Sequence, residues 1–301
     1  MQKRSVFAIA IALTALTALA LTGCSAGSSA GDGKIRVVAS TNVYGDIAST
    51  IAGNAVEVTS LMSDPAQDPH SFEASAQSQL AVSKADILIE NGGGYDDFMG
   101  TLRSGSKNTK ATVLNVVDIS GKKADNGELN EHVWYDFPTI EKFTTALTDA
   151  LAKADPSQKA TFTKNADAFS GKLAALQNRE AALKTKFAGE GAAVTEPVPL
   201  YLLDAIGLVN KTPEKFSAAI EGGTDVSPLV LQETLALFSG HQVKLLAYNE
   251  QTSGPETERV LAAAKQAGIP VVPVTETLPK GKDYIGWMNA NLDAVESALT
   301  K

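Results

Sequence analysis

The chain has 301 residues, 34 of them acidic and 26 basic, with a single cysteine. That length allows one large or two smaller domains, and the acidic balance argues against nucleic acid or an anionic membrane face as partner. One cysteine can build neither a disulfide framework nor a thiolate metal site, so any metal must be held by His and carboxylates.

Residues 1–23 read as a secretory signal. Lys3 and Arg4 form the basic start, Val6 to Leu21 an apolar core, and Leu21-Thr22-Gly23-Cys24 a lipobox-like ending with cleavage before Cys24. The plain alternative is an unmodified Cys24 after an ordinary signal peptide. Lipidation of Cys24 would attach more than one acyl chain, enough for stable anchoring to the membrane. Residues 24–33 then form a Gly/Ser/Ala tether with nothing to bury. Without Lys3 and Arg4 the chain carries 24 basic against 34 acidic residues, a net charge near −10. This suits a cationic ligand, although solubility explains it as well.

The body begins with Ile35 to Ser40, β-branched and uninterrupted, which predicts a buried strand. Thr41-Asn42 caps a helix to about Ala52, and Val56 to Met62 is a second strand. Ser75 to Lys84 reads as helix and Asp86 to Glu90 as a third strand, ending in the turn Gly92-Gly93-Gly94. A helix from about Tyr95 precedes a fourth strand, Thr112 to Val117. This alternation predicts a parallel sheet covered by helices on both faces. Pro138 to Ala154 is a closing helix for a first lobe spanning 34–155.

Asp155-Pro156 is a helix start, Asp as cap and Pro at the first position. The helical pattern then runs to about Phe187, with Phe162, Ala166, Phe169, Leu173, Leu176, Ala182 and Leu183 at three- and four-residue steps. It predicts one long linking helix over 156–188, the alternative being two helices broken near Gly171. The second lobe, 189–301, repeats the grammar. Its strands are Ala192–Thr195, Val243–Tyr248 and Pro270–Val274; its helices are Val198–Ile206, Ser227–Ser239, Pro255–Ala267 and Asp283–Leu299. The fold class is α/β: two lobes, each a parallel sheet flanked by helices, joined by one long rigid helix.

Four residues fall at or just after the carboxyl ends of strands, where open α/β sheets bind ligands. They are His70 and His132 from the first lobe and Glu196 and Glu276 from the second. Imidazole and carboxylate together suit Zn²⁺, Mn²⁺ or Fe²⁺, so the four are expected to meet around one divalent ion in the interlobe cleft. Taken singly, each has a plainer reading: His70 as a surface histidine, His132 as a core histidine, the two glutamates as exposed strand ends. Glu73 and Asp136 stand near the histidines and could fix their tautomers; a salt-bridge or cap role fits them equally. His241 reads as structural or exposed.

At these residues the chain resembles the metal-specific substrate-binding lipoproteins of bacterial ABC importers, the zinc/manganese group. Asp68-Pro69-His70-Ser71-Phe72-Glu73 and His132-Val133-Trp134-Tyr135-Asp136 carry the resemblance most specifically. Thr195-Glu196 with Tyr201 and Gly207-Leu208 matches the third-ligand region, and Thr275-Glu276-Thr277-Leu278 the fourth. The resemblance implies His70, His132, Glu196 and Glu276 as ligands and little hinge motion. It also implies a lipid-anchored monomer on the extracytoplasmic face that delivers its ion to an ABC permease. Two departures stand out: Glu131 where the group usually has Pro, and Glu276 where it usually has Asp. The expected class is therefore a binder and not an enzyme. A metallohydrolase using the same residues, a binder of a metal chelate and a surface adhesin are the rival classes.

Overall fold

The computed structural model describes residues 34–64, 72–124 and 129–301. The signal peptide, tether, Cys24 and His70 lie outside the described residues. Two four-stranded sheets, every strand pairing parallel, account for the architecture. The first is built from β1 (Ile35–Thr41), β2 (Val56–Met62), β3 (Ile87–Glu90) and β4 (Thr112–Asn115), in the order β2-β1-β3-β4. The second is built from β5 (Gly191–Val194), β6 (Val209–Asn210), β7 (Leu245–Asn249) and β8 (Val271–Val274), in the order β6-β5-β7-β8. The two orders are the same order. In each sheet the chain leaves the first strand towards one edge and returns to its other side, opening a crevice at the strand carboxyl ends.

The central strands are apolar on both faces because helices cover both faces. β5 and β7 are buried at every residue. In the first half the helices are α1 (Asn42–Ala52), α2 (Ala76–Lys84), α3 (Phe98–Ser106), α4 (Val116–Ser120) and α5 (Phe137–Ala154). In the second half they are α7 (Leu200–Ala205), α8 (Glu214–Glu221), α9 (Pro228–Ser239), α10 (Pro255–Gln266) and α11 (Tyr284–Leu299). The fourth strand stops at Asn115, short of the expected Val117, because the Asn115 side chain turns back to cap α4, accepting from the Asp118 N–H at 2.9 Å. The helix expected from Tyr95 begins at Phe98; Gly92, Gly93 and Gly94 first turn the chain with φ of +80°, +73° and +103°. Neither α8 nor the short edge strand β6 was expected from the sequence, since their eight and two residues carry too little periodicity to separate from loop.

Between the halves runs α6 (Lys159–Phe187), 29 residues without a break at Gly171 and preceded by a 3₁₀ turn at Pro156–Gln158. At 1.5 Å per residue it is about 44 Å long. Its buried residues are Phe162, Ala166, Phe169, Leu173, Leu176, Glu180 and Leu183, stepping four and three alternately. That is one seam of a helix packed along its whole length, and Glu180 occupies a core position on it where the sequence pattern pointed to Ala182. Burial, reinforced by the charge of Asp136, pushes the Glu180 carboxyl up to about 8.

The seam of α6 faces a hydrophobic core that runs continuously from β1, α1 and α5 to β5, β8 and α11. Smaller cores lie on the outer face of each sheet, one with Leu88 and Met99, the other with Leu246 and Phe238. Polar contacts cross between the halves near the strand ends. Asn42 holds the backbone of Leu278 through both amide atoms, donating at 3.0 Å and accepting at 2.8 Å. The Tyr135 hydroxyl donates to the Thr275 carbonyl at 2.8 Å and that of Tyr284 to the Trp134 carbonyl at 2.7 Å. A shared core and buried cross-links leave little room for free rocking of one half on the other.

Candidate metal centre

The carboxyl ends of β5, β7 and β8 each hand a polar residue to one buried spot, and the segment before α5 supplies an imidazole to it. Glu196 follows β5 by two residues, Asn249 ends β7, and Glu276 follows β8 by two residues. All three are buried: Glu196 is 1 % exposed, Asn249 1 % and Glu276 0 %. The readings of Glu196 and Glu276 as exposed strand ends are therefore excluded. His132 is also fully buried, at the entry to the 3₁₀ turn Val133–Tyr135 that leads into α5.

His132 is held in one orientation from two directions. Its Nδ1 lies 2.8 Å from Asn130 Oδ1, and its own N–H donates to the same oxygen at 3.1 Å. Asn130 is fixed in turn by the second half, donating to the Pro197 carbonyl at 3.0 Å and accepting at its own carbonyl from the Tyr201 hydroxyl at 2.7 Å. An acceptor at Nδ1 places the imidazole proton there and leaves Nε2 facing inward. The ring is wedged edge-on between Tyr95, with centroids 5.9 Å apart, and Trp134 at 5.1 Å. Tyr95 reaches this place from the Gly92–Gly94 turn. There Gly92 is obligatory, because an added Cβ would lie 2.3 Å from the Asn115 amide.

Nε2 of His132 lies 3.7 Å from Glu276 Oε2 and 3.4 Å from Oε1 of Glu221, the last residue of α8. Asn249 Nδ2 donates to Glu196 Oε2 at 2.6 Å and to Glu276 Oε1 at 2.8 Å, tying the two carboxylates together. Gln251 accepts from the Glu276 N–H at 2.5 Å and donates to the Thr277 hydroxyl at 2.9 Å, which fixes the strand end. Among the described residues His132 Nε2 and Glu196 Oε1 are buried without a hydrogen-bond partner, although buried polar atoms are ordinarily satisfied.

Burial and like charge together set the electrostatics of the cluster. Burial pushes the Glu196 carboxyl up to about 8, and the charges of Glu276 and Glu221 add to the push, against relief from Asn249 and His132. At His132 burial disfavours the charged ring, yet Glu221, Glu276 and Glu131 together outweigh it and raise its proton affinity. Two buried carboxylates side by side, Glu196 and Glu276, are costly to ionise together without a compensating positive charge. Among the described residues no three His, Asp or Glu side chains are arranged to hold a metal ion; what they form is a buried polar cluster.

Asp136 takes the cap and salt-bridge role that fitted it equally from the sequence. Asp136 does not touch His132: it caps α5, accepting from the Thr139 N–H at 2.9 Å, and pairs with Lys122 at 3.1 Å. The bond to Nδ1 comes from Asn130 instead, because the 3₁₀ turn carries Asp136 past the ring. Glu73 is exposed, and the His70 it was paired with lies outside the described residues. His241 is exposed in a turn with φ of +47°. Three residues were missed: Asn130, Asn249 and Glu221. Asn249 had a legible signal, a polar residue closing the apolar run Val243–Tyr248; Asn130 had none, and Glu221 ended a helix that was itself not expected.

Comparison with known proteins gives this geometry its setting. The lipoprotein FimA of Streptococcus parasanguinis, a metal ABC transporter substrate-binding protein, is 27 % identical over 99 % of this chain and 98 % of its own length. The manganese ABC transporter substrate-binding lipoprotein scaA of Streptococcus gordonii is 24 % identical over 97 % of this chain and 98 % of its own. Among solved structures, the periplasmic zinc-binding protein TroA of Treponema pallidum superposes with a TM-score of 0.75 at 22 % identity, covering 89 % of this chain and 99 % of that one. The family described as zinc-uptake complex component A, periplasmic, matches residues 37–298, which takes in α6, every residue of the buried cluster and both sheets apart from the first two residues of β1. The chain belongs to this family of substrate-binding components of metal ABC transporters, and is not an enzyme.

Proposed function

We propose that the protein captures a divalent transition-metal ion, Zn²⁺ or Mn²⁺ with Fe²⁺ as third candidate, where its two halves meet, and passes it to the permease of an ABC importer. The observation that carries this is the convergence of His132 Nε2 from the first half on Glu276 from the second, inside a buried cluster with Glu196. The ligands are His132, Glu196 and Glu276 with His70, two from each side of α6. In this reading residues 34–155 and 189–301 act as the lobes and 156–188 as their spine. Cys24 carries the lipid anchor that holds a monomeric body on the extracytoplasmic face of the membrane. Names among the relatives span zinc and manganese, in keeping with a donor set that serves either ion.

Each side chain has a defined task. His132 offers a neutral nitrogen, its tautomer set by Asn130. Glu196 and Glu276 neutralise the ion, and Asn249 holds one oxygen of each so that the other can turn to the metal. Capture exchanges protons for metal, since Glu196 holds a proton at neutral pH in the empty site. Isothermal titration of the mature chain with MnCl₂ and ZnCl₂ tests the reading. It predicts one site of sub-micromolar affinity that His132→Ala abolishes with the fold intact by circular dichroism. No first-row metal bound tighter than about micromolar, or full binding by the variant, would refute it; micromolar corresponds to about −8 kcal/mol.

A further inference from the structure

Glu221 belongs to none of the sequence segments expected to supply a ligand, yet its carboxylate stands closer to His132 Nε2 than Glu276 does, 3.4 Å against 3.7 Å. Two donors bound to one ion at about 2.0–2.1 Å in a tetrahedral arrangement lie about 3.4 Å apart, so both separations are those of ligands sharing an ion. Its position in the fold argues the same way. A carboxylate on the last residue of α8 opposes the negative end of the helix dipole. It is half-buried and set beside two buried carboxylates, Glu196 and Glu276. The cluster it joins has two buried atoms, His132 Nε2 and Glu196 Oε1, without a hydrogen-bond partner among the described residues. Gly222 and Gly223, the latter at φ of +60°, follow directly and let the chain turn away after presenting the side chain.

We propose that Glu221 is an additional direct ligand to the captured ion, and that it biases the site towards ions that accept more than four, mainly oxygen, donors, Mn²⁺ or Fe²⁺, over Zn²⁺. This rests on the metal-capture reading above. Three carboxylates to one imidazole among the described donors form an oxygen-rich set, which suits Mn²⁺ better than the four-coordinate preference of Zn²⁺. A fourth side of the ion is closed by α8, so the second half would contribute three carboxylates from three separate segments.

The test uses the full mature chain with Glu221→Ala and Glu221→Gln, titrated calorimetrically with MnCl₂ and with ZnCl₂. X-ray absorption at the Mn edge counts the first-shell donors. Glu214→Ala, on the first turn of the same helix, serves as control. The expected result is a Mn²⁺ affinity at least tenfold weaker in both Glu221 variants, a smaller loss for Zn²⁺, and one fewer oxygen in the Mn shell. Equal affinities and an unchanged shell would overturn the role of Glu221 while leaving metal capture intact if His132→Ala still abolishes binding. A larger loss for Zn²⁺ than for Mn²⁺ would overturn the selectivity. Failure of the unaltered chain to bind either ion would remove both readings.

Discussion

Asn249→Ala isolates the clamp on which the paired carboxylates depend. Its amide nitrogen donates to Glu196 at 2.6 Å and Glu276 at 2.8 Å, both buried. Its backbone is fixed independently, the N–H donating to the Thr195 hydroxyl at 2.9 Å, so truncation spares the strand. Hydrogen bonds to charged groups contribute about 1.5–3 kcal/mol each. Two are lost, but a bound ion attracts the released carboxylates and recovers part of that. The expected net effect is a 10–100-fold weaker metal affinity, the range found when a residue orienting a ligand is removed, or about 1.4–2.8 kcal/mol. Asn249→Asp should be worse, since it keeps the volume and replaces the donor with a fourth negative charge. Calorimetric titration with Mn²⁺ and Zn²⁺, alongside melting curves of the metal-free proteins, measures both. Affinity within threefold of the parent in the Ala variant would refute the idea that Asn249 preorganises the pair.

Metal-free protein should lose stability as pH rises from about 4.5 towards 8. Glu196 binds its proton more tightly folded than unfolded, so the folded state is the better protonated across that window, and His132 acts in the same direction from 6.5 upward. Melting temperatures across this range, for the parent and for Glu196→Gln, check it; the variant should show the flatter profile, and saturating metal should reverse the slope. An unchanged slope in Glu196→Gln would contradict the assignment. Glu180→Leu should stabilise the fold by about 1–3 kcal/mol, because it replaces a buried carboxyl on an otherwise apolar seam. Urea denaturation at pH 7 reads it, and a destabilised variant would show that the carboxyl has a partner the packing needs. Gly92→Ala should cost about 1–3 kcal/mol by forcing a side chain to a φ of +80° against Asn115; parental stability in the same assay would contradict that turn.

The fold was legible wherever an element was long and one-sided or buried on both faces. Val56–Met62 was read with its observed bounds, and the helices expected from Ser75 and Asp283 begin one residue later, each capped by that residue's side chain. Boundaries failed where a side chain overrode the pattern, as when Asn115 ended β4 to cap α4. On α6 the alternating steps predicted the seam, but hydrophobicity alone passed over Glu180, whose place follows from the four-three register. The strand-end positions of Glu196 and Glu276 were visible because parallel sheets direct such residues to one edge. What joins them was not. Asn130, Asn249 and Glu221 act through contacts spanning tens of residues, and no local period marks a residue for that work.

The proposed function requires one metal ion inside the buried cluster. Crystals grown with Mn²⁺ and measured at its absorption edge would locate the ion directly by anomalous scattering. The expected result is a single peak at bonding distance, about 2.0–2.3 Å, from His132 Nε2 and from oxygens of Glu196 and Glu276. A peak elsewhere on the molecule, or an empty cluster in crystals of Mn²⁺-saturated protein, would contradict it.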